Sequence, residues 1–157
     1  AAADPARARG IRVVHPRIGL VLAAHGGALA RMLPVFKLGA GGKLGSGQQY
    51  MSWISLRDLV RALRFALETA SLAGPMNAVA PNPVQNVEFT RELARALHRP
   101  ALFPVPAAAL RLVLGELSSE VLGSIRVAPR VLAAAGFHFE HPELAGALSA
   151  VLGARTH

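Results

Sequence analysis

A nearly continuous apolar segment near the start of the chain restricts the fold more than any other feature. Residues 11–22, IRVVHPRIGLVL, are rich in β-branched side chains, which is typical of a strand that is buried on both faces. Pro16 interrupts the segment and cannot donate a ladder hydrogen bond. We therefore expect the strand to end near His15 and residues 17–22 to form a second extended piece.

Amphipathic helices and short apolar stretches alternate after this segment. The apolar spacing of residues 29–36 predicts a helix, which Pro34 should kink or shorten. Residues 51–55 predict a short strand. Ser55 and Asp58 then have capping-box spacing and predict the start of the clearest helix in the chain. Its apolar face is predicted to comprise Leu56, Leu59, Val60, Leu63, Leu67 and Ala70.

Prolines and glycines divide the second half of the chain. Residues 74–81 predict a turn, a strand and a turn, and residues 87–98 predict a helix capped by Asn86. Residues 137–141 predict a short strand. Further short helices are each predicted to begin at a proline and end at a glycine: Pro106 to Gly115, Pro129 to Gly136, and Pro142 to Gly153. This order predicts an α/β fold with a small, mainly parallel sheet and a helical cap.

Length and composition exclude several classes of protein. The 157 residues suffice for one domain with its own core. No apolar run approaches the ~18 residues of a membrane helix and no signal-peptide pattern is present, so no membrane partner is expected. The absence of cysteine excludes disulfides and is typical of a reducing compartment, so we expect a cytoplasmic protein. The chain does not begin with methionine, and we expect it to be a piece of a longer protein.

The net charge of +8 leaves two interpretations. A basic face could attract nucleic acid or anionic nucleotides, or the arginines could be dispersed over solvated helix surfaces. The arginines are scattered, and the chain has only one tyrosine and one tryptophan for base stacking, which favours the second interpretation. We expect no nucleic-acid partner.

The glycine-rich segment 38–54, LGAGGKLGSGQQYMSWI, raises the question of a phosphate-binding loop. A Walker loop requires Ser or Thr after its lysine, and here Lys43 is followed by Leu44. A dinucleotide loop requires a third glycine where Leu44 stands, and it connects a strand to a helix, whereas here the predicted helix comes first. The segment is therefore either a structural turn or the wall of a substrate pocket, and both alternatives stay open.

Other catalytic and metal-binding patterns are weak. His138 and His141 could hold a metal, but Glu140 should point elsewhere if the strand alternates and no nearby cluster supplies a third ligand. Packing or surface roles are therefore favoured, and no metal is expected. A Tyr-x-x-x-Lys pair is absent, because Ile54 stands four residues after Tyr50, the only tyrosine. The residues themselves therefore assign no catalytic group.

Several blocks in fixed order resemble one known family. The blocks are RVVHPRIGLVL, GGALARMLPVFKLGAGGKLGSGQQYMSWI, GPMNAVAPNPVQNVEF, RPALFPVPAAALRLVLGE and RVAPRVLAAAGFHFEHPELAGAL. Between residues 10 and 152 they resemble the C-terminal half of atypical short-chain dehydrogenases/reductases, the epimerase-family proteins related to nucleoside-diphosphate-sugar epimerases. The resemblance implies part of a Rossmann-like α/β domain over residues 1–80, with the substrate loop 38–54, and a mostly helical, substrate-binding subdomain over residues 81–157.

The resemblance also implies which parts of an enzyme lie elsewhere. Full members carry a glycine-rich NADP loop and a Tyr-x-x-x-Lys catalytic pair in an N-terminal half that would precede Ala1. Residues 1–10 would be the tail of the helix that follows the catalytic lysine. This chain would then be the C-terminal substrate-binding portion of an NAD(P)-dependent epimerase or oxidoreductase, catalytically incomplete by itself. The alternative is a noncatalytic interaction or oligomerisation module, forming a homodimer or associating through an exposed sheet edge.

Two groups of site residues follow from the resemblance. Arg17, Gly19 and Val21 occupy the stretch that passes the nicotinamide end of the cofactor in related enzymes. Gln48, Met51 and Trp53 would wall the pocket of a small-molecule substrate whose identity is unknown. Related sugar-nucleotide epimerases typically have an arginine where Met51 stands, so a nucleotide-sugar substrate is less favoured.

Overall fold

The computed structural model describes residues 2–101 and 123–153, and its architecture is the predicted α/β fold. The helices are α1 (Asp4–Ala8), α2 (Gly27–Lys37), α3 (Leu56–Glu68), α4 (Asn86–Leu97), α5 (Arg130–Ala134) and α6 (Leu144–Gly153). The strands are β1 (Val14–Ile18), β2 (Leu20–Leu22), β3 (Tyr50–Met51), β4 (Trp53–Ser55), β5 (Gly74–Ala78) and β6 (Val84–Gln85). The helix predicted after Pro106 lies outside the described residues.

The described strands form three two-stranded sheets. β1 lies parallel to β5, β2 lies parallel to β4, and β3 lies antiparallel to β6. The parallel pairs confirm the predicted mainly parallel sheet. Helices connect the strands of both parallel pairs, as parallel pairing requires.

The first strand corrects two predictions. β1 runs through Pro16 to Ile18 instead of ending near His15. The Gly74 amide donates to the Val13 carbonyl and the Gly19 amide donates to the Ala78 carbonyl, so odd-numbered residues direct their main-chain groups toward β5. The main-chain nitrogen of Pro16, which carries no hydrogen, therefore faces the other edge of β1. No described strand covers that edge. Burial on both faces is also wrong for β1, because its residues from 15 to 18 are exposed.

Helix α2 continues past its proline. It runs from Gly27 to Lys37 and buries Leu29, Leu33 and Phe36, so the prediction that Pro34 shortens it is wrong. Pro34 lies in the last turn, where the loss of one hydrogen bond is offset by burial of the neighbouring apolar side chains.

Helix α3 buries only part of the predicted apolar face: Leu59 is buried and Leu63 packs against the core, as predicted. Its buried residues are Asp58, Leu59, Ala62 and Ala66, whereas Leu56, Val60 and Leu67 are exposed. The small residues Ala62 and Ala66 let the helix approach Met76 of β5 and Phe137 closely, and this contact sets the rotation of the helix. Hydrophobicity alone did not show which apolar residues would meet the sheet.

The largest core cluster joins both halves of the chain. It contains Leu22 and Trp53 from the strands, and Phe89 and Leu148 from α4 and α6. The predicted division at residue 80 stays a prediction. Residues 137–141 form no strand, so that prediction is wrong. Among the helices of residues 2–101 and 123–153, none has the length and apolar character needed to cross a bilayer.

Candidate functional site

The chain changes strand partners at Gly19. Up to Ile18 it pairs with β5, and from Leu20 it pairs with β4. The Gly19 amide donates to the Ala78 carbonyl (3.3 Å), and the Leu20 amide donates to the Ser52 carbonyl (2.8 Å). Open α/β sheets bind ligands where neighbouring strands diverge, at the carboxyl ends of the strands, so we expect a ligand crevice here. We therefore place the candidate site at this point.

Gly19 is required there by packing. A β-carbon at this position would lie 2.5 Å from the Ser52 carbonyl oxygen and 2.8 Å from Val79 Cγ1. Both distances are shorter than any normal contact, so no other residue fits without moving a strand. The structure gives Gly19 this packing role, and its predicted contact with a cofactor stays a prediction.

The two other residues of the predicted cofactor group have different surroundings. Arg17 is exposed on β1 and forms no ion pair with any described residue. Val21 is partly buried and packs against Ile54, Leu59 and Ala78. Of the group, Arg17 alone offers a solvent-exposed polar side chain, while Val21 supports the strand from the core.

Residues 124–128, the crossing segment, lie along β3 and β4. The Ile125 amide donates to the Tyr50 carbonyl (3.0 Å), and Ser52 Oγ donates to the Ile125 carbonyl (2.8 Å). The Val127 amide in turn donates to Ser52 Oγ (3.1 Å). These bonds fix the segment beside the crevice, although Ser52 and its two partners are 73 and 75 positions apart in sequence.

The crossing segment brings a second arginine to the site. The Arg126 guanidinium lies 4.7 Å from the centre of the Tyr50 ring. Asn77 Nδ2 donates to the Ala128 carbonyl (3.2 Å), and Asn77 is the register partner of Arg17. Because register partners project to the same face of a sheet, Arg17 lies on the face that the crossing segment covers. Two exposed guanidiniums on this face suit an anionic ligand.

The glycine-rich segment is a pinned turn. Leu44 is buried; its amide donates to Asn86 Oδ1 (2.7 Å), and its carbonyl accepts from Gln49 Nε2 (3.0 Å). The Val87 amide donates to the Gly47 carbonyl (2.9 Å), which joins the turn to the start of α4. Asn86 therefore anchors the turn; the cap position of α4 is occupied by Gln85, so the predicted capping role of Asn86 is wrong.

Removing this anchor should loosen the turn. Asn86→Ala is expected to destabilise the protein by about 1–3 kcal/mol, because it leaves the buried Leu44 amide without an acceptor. Trypsin cleavage after the exposed Lys43, followed by mass spectrometry, should accelerate in parallel. Asn82→Ala is the matched control, since the Asn82 side chain bonds only to Glu143 at the surface. Equal cleavage of both variants would contradict the anchoring role.

A buried carboxylate organises the start of α3. Asp58 Oδ1 accepts hydrogen bonds from the Glu140 amide and from Arg61 Nη1, both at 2.9 Å. Oδ2 accepts from the His141 amide (2.9 Å) and from Ser55 Oγ (3.2 Å). Ser55 Oγ also accepts from the Asp58 amide (3.0 Å), which confirms the predicted cap. We call this cluster the Asp58 hub.

The Asp58 hub contains serine, histidine and aspartate, but its geometry is structural. Ser55 is fully buried and its hydroxyl is bonded to Asp58, while His141 Nδ1 lies 3.3 Å from the same hydroxyl. No substrate could reach this oxygen. His138 lies apart, in a shallow depression with Arg64 and Phe65. In the part of the chain that the structure describes, no three metal-ligating side chains lie together.

Among the residues that the structure describes, one ionisable group has a shifted pKa. Arg64 donates a hydrogen bond to Glu68 Oε1 (2.7 Å), and this bond raises the pKa of the Arg64 guanidinium above its ordinary value. Arginine is already protonated at physiological pH, so the shift adds no pH dependence there.

Sequence comparison places these features in a known context. The epimerase family protein MT2273 of Mycobacterium tuberculosis is 48% identical over 148 residues, which cover 94% of this chain and 49% of the relative. The resemblance to the epimerase family is confirmed. The chain spans about half the length of the curated relatives it matches. Residues 105–151 also match a family described as a domain of unknown function (DUF1731).

Solved structures support the same epimerase-family resemblance. Human epimerase family protein SDR39U1 (isoform 2), solved with NADPH, is 38% identical with a TM-score of 0.87, covering 92% of this chain and 50% of the human chain. A nucleoside-diphosphate sugar epimerase from Corynebacterium glutamicum is 34% identical with a TM-score of 0.72, covering 97% of this chain and 28% of that protein. The Rossmann-like fold expected of the epimerase family is thereby confirmed.

The side chains of the predicted substrate residues differ in burial. Gln48 is exposed at the end of the pinned turn. Met51 is buried, with Asn86 Nδ2 3.4 Å from its sulfur, and Trp53 is fully buried, with Nε1 donating to the Asn82 carbonyl (3.0 Å). Their contact with a substrate stays a prediction. Sequence reasoning missed Arg126, whose only signal is its place at the start of the last family block.

Proposed function

We propose that this chain is the substrate-binding portion of an NAD(P)-dependent oxidoreductase or epimerase and is catalytically incomplete without the other half. The single observation that carries the proposal is the similarity to the human epimerase family protein solved with NADPH, at 38% identity over nearly the whole chain. The crevice at Gly19 supports it, because a ligand site is expected where strands diverge.

The described residues fit one part of a dinucleotide site. Arg17 would contact the cofactor from the exposed face of β1, with Gly19 and Val21 forming the strand beside it. The glycine-rich turn does not fit a pyrophosphate, since it follows a helix and is pinned at Leu44. When bound, the nicotinamide of the cofactor would donate a hydride to the substrate in its reduced form or accept one in its oxidised form. The remainder of the cofactor site would come from the other half.

The substrate would lie against the opposite wall of the crevice. Gln48 would offer an amide that both donates and accepts hydrogen bonds, and Arg126 would bind a carboxylate or phosphate group. Met51 and Trp53 would support this wall from the core. The stacking of Arg126 on Tyr50 limits the positions of its guanidinium, which favours a ligand of defined shape.

This chain alone should bind NADPH weakly and catalyse no turnover. It lacks a Tyr-x-x-x-Lys pair, and its glycine-rich segment does not cradle phosphates. NADPH fluorescence titration should show no saturation, with the human epimerase family protein solved with NADPH as the positive control. Steady NADPH oxidation by this chain with any member of an aldehyde and ketone panel would contradict the proposal that the chain is catalytically incomplete.

A joined chain tests the proposal itself. In this polypeptide, the half of MT2273 that this chain does not match precedes Ala1. The joined chain should bind NADPH, and Arg17→Ala should weaken binding about tenfold, or about 1.4 kcal/mol, through loss of a charged contact. Arg31→Ala, an exposed arginine on α2, is the matched control. Equal affinity of the two variants would remove Arg17 from the cofactor site.

An interaction module is the second candidate, and the uncovered edge of β1 favours it. Pro16 and the exposed Arg17 on that strand oppose it, because proline and charge discourage strand pairing at an edge. Sedimentation velocity and NADPH titration separate the two candidates. A stable dimer of this chain, together with a joined chain that does not bind NADPH, would support the interaction module. Both candidates include a cytoplasmic location, which the cysteine-free composition supports.

A further inference from the structure

One side of α3 is apolar and uncovered. Leu56, Val60 and Leu67 are 48%, 58% and 78% exposed. They are spaced by about one and two helical turns and therefore lie in a row on one side of the helix. We call this row the α3 stripe.

The other side of α3 is fully occupied. The Phe65 and Phe137 rings lie 5.4 Å apart, and the Arg61 guanidinium lies 5.4 Å from the Phe137 ring. The charged residues of α3 are also paired, because Arg57 bonds to Glu140 and Arg64 bonds to Glu68. The α3 stripe is thus the part of this helix that lacks a partner in the described regions.

The start of the chain is tied to the end of α3. Arg12 Nη1 donates to the carbonyls of Ala66 (2.7 Å) and Leu72 (2.8 Å), and Nη2 donates to the carbonyl of Leu67 (2.7 Å). β1 and β5 are parallel neighbours, and each is preceded by a helix, α1 and α3. The two helices therefore end at the same edge of the sheet, with Arg12 between the end of α1 and the end of α3.

Helix α1 is too short to cover the stripe. It has five residues and a length of about 7.5 Å, whereas α3 has 13 residues and a length of about 20 Å. Ala3, which precedes α1, has helical dihedral angles (φ −94°, ψ −3°) and forms no side-chain cap. By contrast, Ser55 before α3 is extended and caps its helix. Ala3 therefore continues the helical backbone of α1 by one residue.

We propose that the α3 stripe is the docking surface for a helix that continues α1 toward the N-terminus, within the half of the epimerase-family proteins that this chain does not span. This inference rests on the proposed function. A continuation of about two to three turns would reach from Leu67 to Leu56. The docking helix should present apolar residues at the same spacing, as helix packing requires.

Thiol labelling tests this inference, because the chain has no cysteine of its own. V60C places a thiol in the stripe, and L38C places one at an 84% exposed site outside it as the matched control. Maleimide should label both variants rapidly in this chain alone. In the joined chain, labelling of V60C should slow at least tenfold while that of L38C is unchanged. Mass spectrometry of the peptide carrying each substitution gives the rates.

Other outcomes would overturn the inference. Equal labelling of V60C and L38C in a joined chain that melts cooperatively would show that no helix covers the stripe. Concentration-dependent protection of V60C in this chain alone would identify a second copy as the occupant. Full-length MT2273, with cysteine at the position aligned to Val60, repeats the test if the joined chain does not fold. NADPH binding is measured separately, so failure of the proposed function is distinguishable from failure of the docking surface.

Discussion

Asp58→Ala is expected to lower the free energy of unfolding by about 3–5 kcal/mol. The carboxylate is fully buried, and its removal leaves buried donors without an acceptor. Those donors are Ser55 Oγ, Arg61 Nη1 and the amides of Glu140 and His141. Urea denaturation followed by circular dichroism measures the change.

Glu68→Ala is the matched control for this substitution. Glu68 is an exposed carboxylate on the same helix and pairs with Arg64, so its loss should leave stability unchanged within error. Asp58→Asn should fall between the two, because it keeps the shape of the side chain and one acceptor oxygen. If Asp58→Ala proves no more damaging than Glu68→Ala, the Asp58 hub does not hold the C-terminal residues to α3.

Gly19→Ala should destabilise the protein by at least about 1–3 kcal/mol, the usual range for overpacking. The added carbon would meet the main-chain oxygen of Ser52 at 2.5 Å, and that oxygen accepts the Leu20 amide, so β2 and β4 would have to separate. In the joined chain, the same substitution should weaken NADPH binding, because it distorts the crevice. Thermal melting and NADPH titration measure the two effects.

Gly146→Ala provides the opposite expectation. Gly146 lies within α6, and a β-carbon there would meet no atom within 4 Å. Alanine should stabilise this helix by about 0.5–1 kcal/mol, because it restricts the unfolded chain. A similar loss of stability in both glycine variants would mean that close packing at Gly19 is not the cause.

Local features of the fold were predictable from the sequence, whereas long-range features were not. β5 and the Ser55 cap were predicted because their signals lie within a few residues. The rotation of α3 was not, because it depends on the contact of Ala62 and Ala66 with distant residues. The continuation of β1 through Pro16 was not predicted either. It depends on tertiary structure, because among the described strands β1 pairs only with β5, on one edge.

The candidate site shows the same division. The glycine-rich segment failed the phosphate-loop motifs, and the structure explains it as a turn held by buried amides from Asn86 and Gln49. Motif spacing could exclude a function there but could not identify those two anchors. Arg126 was not predicted as a site residue, because only the folded chain brings the crossing segment beside Tyr50. The register of β1 and β5 places Arg17 on the face that the crossing segment covers, which sequence distance does not show.

The Asp58 hub also has a consequence for the order of folding. Its carboxylate bonds to main-chain amides 82 and 83 positions further along the chain. Closing so long a loop costs entropy before any contact compensates for it, so these bonds form late. During synthesis, the start of α3 emerges long before Glu140 and His141, so until then only the nearby Ser55 and Arg61 side chains can bond to the Asp58 carboxylate. Because the Asp58 hub forms after the folding transition state, it slows unfolding of the native protein and does not speed folding.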